Sequence, residues 1–163
     1  MKYLVIRDTR EKIRNGWIWK PSKYCLGTHE GTLQTGDYTI QGYHKLLTIE
    51  RKGSISEWAQ NITQARVERE LERMEEIRFP FVLLEFTMTD IMNYPIGSDV
   101  PKKLWPRLKV RGSYILKRTI EFEMQYRTKI IFCGGSGKEI ASSIFKRTVE
   151  IIEHEQIDVN TAK

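Results

Sequence analysis

The chain has 163 residues, 40% of them hydrophobic, which suits a single domain spanning residues 1–163 around one core. No apolar run is long enough to span a bilayer, and Tyr3-Leu4-Val5-Ile6 is too short for a secretory leader, so the cytoplasm is expected, or a host cell interior if the source is viral. Cys25 and Cys133 lie far apart and His29, His44 and His154 are isolated, which excludes structural zinc spacing, while a net charge of +6 suits a polyanionic partner.

Taken in chain order, Tyr3-Leu4-Val5-Ile6-Arg7 reads as a strand. Residues 15–35, with Gly16, Pro21, Gly27 and Gly31, read as an irregular connection with room for one strand. Asp37-Tyr38-Thr39-Ile40 and Leu46-Leu47-Thr48-Ile49-Glu50 flank a turn at Gln41-Gly42 and form an antiparallel pair. Ser54 with Glu57 is a capping-box pattern, and a helix is expected from there to about Arg78. Val67, Leu71, Met74 and Ile77 form its apolar stripe, and Pro80 closes it. Residues 81–86, Phe-Val-Leu-Leu-Glu-Phe, are a central strand buried on both faces.

Residues 88–112, with three prolines and two glycines, are expected to be irregular. A helix follows from Ser113 with Ile115, Leu116, Ile120 and Met124, then a strand over Lys129-Ile130-Ile131-Phe132-Cys133. Ser136 and Glu139 read as a second capping box, opening a helix with Ala141, Phe145, Thr148 and Ile152 on one face and a frayed tail over 156–163. Strands and helices alternate in the later part, so the fold class is α/β with the hairpin added to the sheet.

The chemistry concentrates at Glu50-Arg51-Lys52. Side chains alternate along a strand, so Glu50 and Lys52 share one face and Arg51 takes the other. Asp37 lies on the strand expected to pair with it. Charged groups on a strand marked as interior by Leu46, Leu47 and Ile49 are costly unless paired or functional. Two carboxylates converging beside a lysine can hold a divalent cation and set an ammonium next to an attacking water. Separately, Lys102, Lys103, Arg107, Lys109, Arg111, Lys117 and Arg118 include no acid between them and interleave Trp105 and Tyr114. That stretch can neutralise nucleic-acid phosphates, or be a solvated basic loop. Gly134-Gly135-Ser136-Gly137-Lys138 lacks the GxxxxGK[ST] spacing and is a strand-to-helix turn, so no nucleotide cofactor is expected.

Asp8-Thr9-Arg10-Glu11, Gly36-Asp37-Tyr38 and Ile49-Glu50-Arg51-Lys52, in this order, resemble the nuclease domain of the XPF/Hef family of structure-specific endonucleases. The resemblance extends through Gln64-Ala65-Arg66 to Glu70, Phe81 to Glu85, and Gly112-Ser113 to Phe132. It implies a restriction-endonuclease-like mixed central sheet flanked by helices. It implies Mg²⁺- or Mn²⁺-dependent hydrolysis of DNA phosphodiesters at branched or junction substrates, and pairing as a homodimer through the helix at 113–127 and the terminal helix. Asp37 and Glu50 are then metal ligands, with Asp8 beside them. Lys52 orients the water, and Arg10 and Arg51 serve the site network or contact phosphate. Glu11, Arg66 and Glu85 are secondary candidates, and Lys102, Lys103, Arg107, Lys109 and Arg111 would track the DNA.

One position departs from the family pattern. Ser56 stands where an aspartate is expected four residues after the lysine. Either Glu57 replaces it after a one-residue shift at Gly53, and joins the metal ligands, or Glu57 only caps the helix. The competing reading of the whole chain is a non-catalytic DNA-binding or scaffold subunit of a nuclease complex; hydrolysis of RNA is a third.

Overall fold

The structure, a computed structural model, describes residues 2–11 and 16–161, with side chains to residue 155. Residue 15 of the expected connection and residues 162–163 of the expected tail lie outside the described residues. A six-stranded mixed sheet in the order β2-β1-β3-β4-β5-β6 forms the centre. Its strands are β1 Tyr3–Asp8, β2 Cys25–Gly31, β3 Tyr38–Ile40, β4 Leu47–Lys52, β5 Phe79–Leu84 and β6 Lys129–Phe132. β3 runs antiparallel to both β1 and β4, whereas β4, β5 and β6 are mutually parallel. The helices are α1 Ile55–Asn61, α2 Ala65–Met74, α3 Met88–Asn93, α4 Gly112–Gln125 and α5 Gly137–Thr161. This is the restriction-endonuclease-like α/β architecture expected from the sequence. Among the described residues, no helix is long and apolar enough to cross a membrane.

Strand alternation divides the core in two. Tyr3 and Val5 of β1, Leu47 and Ile49 of β4, and Leu83 of β5 pack with Trp17, Trp19 and the α5 residues Ala141, Phe145 and Val149. Val82 and Leu84 take the opposite face with Trp58, Val67, Leu71, Ile91, Ile115 and Phe122, from α1 to α4. Asp8, Asp37, Glu50 and Lys52 have the parity of this second face. They stand where the helices leave one end of the sheet uncovered.

Four local expectations are corrected. The helix expected from Ser54 to about Arg78 is two helices. Asn61 Nδ2 donates to Glu57 O and Thr63 Oγ1 donates to Gln60 O, so side chains compete with the helical backbone at 61–63. Gln64 is then extended and starts α2. Pro80 lies inside β5 rather than closing a helix. Phe79 N donates to Leu46 O on the β4 side, and pairing with β6 begins only at Phe81, so the missing N–H of Pro80 costs no ladder bond. The stretch 88–112 contains α3, opened by a reciprocal Thr87–Asp90 capping box, and a 3₁₀ helix over Lys102–Arg107. Ser136 belongs to the 3₁₀ turn Gly134–Ser136 that runs into α5, so it is not an extended cap.

Candidate active site

A cavity of about 430 Å³ opens at this end of the sheet. Asp8, Arg10, Asp37, Glu50, Arg51, Lys52 and Glu57 all line it. The sequence motifs, spread over fifty residues, thus meet at one place.

Backbone pairing sets the geometry. Tyr38 pairs with Ile49 across the antiparallel β3/β4 ladder, so the next residues out, Asp37 and Glu50, come opposite one another. Asp37 N donates to Ile49 O at 2.8 Å, and Arg51 N donates to Asp37 Oδ2 at 2.7 Å. Gly36 permits the approach. Its φ is +76°, and a Cβ there would meet Thr48 Oγ1 at 2.1 Å. Burial pushes the Asp37 carboxyl up to about 7, against the lowering effect of the Arg51 N–H. Burial and the Asp37 charge hold Glu50 well above the usual carboxylate range.

Lys52 is buried among acids. Its Nζ lies 2.6 Å from Glu50 Oε1 and 3.6 Å from Glu70 Oε2. Burial alone would lower its pKa, but Glu50 and Glu70 outweigh that and raise it, so the amine stays an ammonium. It can donate hydrogen bonds and stabilise negative charge. Glu70 is a site residue that sequence reasoning missed. The signal existed: Arg66, Glu70 and Arg73 fall at i, i+4 and i+7 on α2, and all three line the cavity.

Asp8 has another task. Its carboxylate receives four N–H donors: Arg10 N, Nε and Nη2, and Leu33 N. Burial opposes the charge, but these bonds together hold its pKa below the ordinary value. Asp8 thereby anchors Arg10 and the 32–35 loop along the cavity wall. Arg51 points across the strand, as alternation requires. Its guanidinium bridges Glu11, at 2.8 Å, and Glu85, and lies over the Trp17 ring. Glu85 also accepts from Trp17 Nε1 at 3.0 Å. Sequence reading gave Trp17 no role, because nothing in the connection before β2 signals this contact.

Glu57 caps α1 and also turns its side chain to the cavity. Its N–H donates to Ser54 Oγ at 3.2 Å as the helix cap requires, and its carboxylate faces the cavity while accepting from Gly53 N at 2.9 Å. Ser56 is buried on the other side of α1, where its hydroxyl donates to Asp99. Lys102, Lys103, Arg107, Lys109 and Arg111 are exposed but do not line the cavity.

Among the described residues, no three His, Cys, Asp or Glu side chains form a metal-binding group. Two carboxylates, Asp37 and Glu50, do converge. Magnesium characteristically takes one or two protein carboxylates and keeps several waters, so this hard-oxygen pair fits such an ion in donor chemistry.

Solved structures share the fold. XPF from Aeropyrum pernix aligns with a TM-score of 0.58 and 17% identity, over 88% of this chain and 60% of that one. XPF from Aeropyrum pernix in complex with DNA aligns with a TM-score of 0.60 and 17% identity, over 91% and 66% respectively. The chain thus covers about three-fifths to two-thirds of the length of those structures. No family model matches the sequence, and no curated protein matches it. At this identity the likeness is one of fold, and it agrees with the fold expected from the three motifs.

Proposed function

We propose that this chain is a divalent-cation-dependent endonuclease that hydrolyses DNA phosphodiesters at branched or junction substrates. The observation that carries the reading is the Asp37–Glu50–Lys52 cluster: two carboxyls whose ionisation is resisted, beside a lysine held charged. Burial is the main cause that raises them, and a bound cation would offset its cost by stabilising both carboxylates in their charged form. Asp37 and Glu50 would hold Mg²⁺ or Mn²⁺, with Asp8 organising the wall beside them and Glu57 reaching the ion directly or through water. When bound, the ion supplies Lewis acidity and an activated water.

The remaining chemistry belongs to the side chains. Lys52 donates to the attacking water or to the phosphoryl oxygen that gains charge. Arg10 has an exposed guanidinium at the cavity rim and can meet an adjacent phosphate. Arg51 acts through Asp37, by fixing the backbone N–H that orients it. The DNA bound by one of the two similar structures, and the fold shared with both, support nucleic acid as the partner. Lys102, Lys103, Arg107, Lys109 and Arg111 remain assigned to the flanking duplex. A homodimer is part of the same proposal: α4 exposes Ile120 and Met124, and α5 exposes Ile151. Light scattering showing monomer alone would remove it.

The test is a panel of flap, fork, nicked and Holliday-junction DNAs with Mg²⁺. Wild type should cleave at least one of them, EDTA should stop it, and Asp37→Ala and Lys52→Ala should each lose about 100-fold or more in rate. An Asp37→Ala protein that cuts as fast as wild type overturns the reading. Tight binding without nicking on every substrate, with Mg²⁺ or Mn²⁺, favours the scaffold subunit instead.

A further inference from the structure

A second cavity, of about 560 Å³, adjoins the first. Gln34, Thr35 and Arg73 line both, so the two lie side by side along the 32–35 loop and α2. The turn between β3 and β4 contributes His44 and Lys45 to its lining. We propose that this groove is a subsite for the polynucleotide strand beside the scissile phosphate, with Arg73 and Lys45 contacting successive backbone phosphates. The inference rests on the nuclease reading for its substrate class, but it concerns a surface that lies outside the catalytic cluster.

The groove has the chemistry of a nucleotide unit rather than of a protein ligand. Arg73, His44 and Lys45 are exposed, and none has an ion-pair partner among the described residues. Among the described residues Glu76 is the one acid in the lining, so the permanent charges there are two cations against one anion. Thr32, Thr35 and Gln34 offer hydroxyl and amide groups to phosphate and sugar. Leu33, Leu47 and Ile77 give an apolar floor on which a sugar or base face can rest.

The shared wall is also fixed in place. Leu33 N donates to Asp8 Oδ2 at 2.7 Å and Arg10 Nη2 donates to Leu33 O at 2.7 Å. Thr48 Oγ1 donates to Thr35 O at 3.0 Å. Asp8 and Arg10 therefore hold the loop that borders catalytic pocket and groove alike. On α2, Arg66 and Arg73 lie two turns apart on one face, so cations border the pocket and continue into the groove. The exposed basic segment around Lys102 lies beyond α1, whose Ser56 side faces a separate cavity with Lys109. The groove shares Gln34, Thr35 and Arg73 with the catalytic pocket, whereas the cavity beside Lys109 shares no lining residue with it.

The experiment measures binding of a fluorescent oligonucleotide without divalent ions, over 50–200 mM salt, by wild type, Arg73→Ala, Lys45→Ala and the double variant. Each single variant should weaken binding several-fold. Each should reduce the slope of log K against log[salt] by about 0.7 for a single strand, and the double variant by about twice that. These residues are exposed and unpaired, so circular dichroism and Tm should not move. A double variant that keeps wild-type affinity and slope overturns the groove assignment. If wild type cleaves in Mg²⁺ in that case, the nuclease reading survives without it. If wild type never cleaves but the double variant loses affinity, the groove stands as a binding site and the nuclease reading falls.

Discussion

Asp37 bears the electrostatic strain of the cavity. Its carboxyl is pushed up to about 7 by burial, whereas in an unfolded chain it would titrate near 4. A folded state that binds the proton more tightly is favoured at low pH, so this residue's contribution to stability falls as pH rises from about 4 to about 7. Asp37→Asn should therefore stabilise the cation-free protein at pH 8 by about 1–3 kcal/mol, roughly 3–10 °C in Tm. The gain should vanish near pH 4, and calorimetry in EDTA at the two pH values checks it. Cleavage should be lost in the same variant, an exchange of stability for function. Glu57 and Ser56 give a second contrast. Glu57→Gln retains an acceptor for Gly53 N but removes the charge facing the cavity, and should slow cleavage about tenfold or more. Ser56→Ala alters only the buried contact with Asp99, and should leave the rate within about twofold. Equal losses in both variants would mean that the shift at Gly53 has not moved the acid.

At the scale of elements, β4 carries chemistry on one face and support on the other. Glu50 and Lys52 face the cavity, while Arg51 fastens the strand to the end of β1 through Glu11, to the residue after β5 through Glu85, and to Trp17. These contacts hold the backbone N–H that positions Asp37. Glu85→Gln removes one anion from a half-buried guanidinium whose Nε already lacks a hydrogen-bond partner. A destabilisation of about 1–3 kcal/mol is expected from urea melts, with a smaller loss in rate than at Asp37. The loop before β3 is equally constrained. Gly36→Ala combines a positive φ with a clash against Thr48, and should cost about 1–3 kcal/mol while displacing Asp37. Wild-type stability and rate in that variant would show that the loop relaxes freely.

At the scale of the molecule, the sheet separates two cores and leaves one end open for the site. Much of this was written in the sequence. The apolar runs of β1, β4 and β5 and the stripe of Val67, Leu71 and Met74 marked strands and helix, because periodicity is a local property. Alternation also fixed that Glu50 and Lys52 share a face and that Arg51 does not. The break between α1 and α2 escaped because Asn61 and Thr63 compete with the helix through contacts that composition does not weigh. Pro80 was misread because its cost depends on where β6 begins, forty-nine residues later. Trp17 stayed hidden for the same reason: its partner, Arg51, is distant in the chain. The fold class, the motif residues and the faces they occupy were legible along the chain, since each follows from backbone geometry over a few residues. Which charges meet, that Glu57 faces the cavity while Ser56 turns away, and that a second cavity adjoins the first became visible only in three dimensions. Those outcomes depend on how β3 pairs with β4 and how α1 and α2 pack across the sheet, which no local pattern specifies.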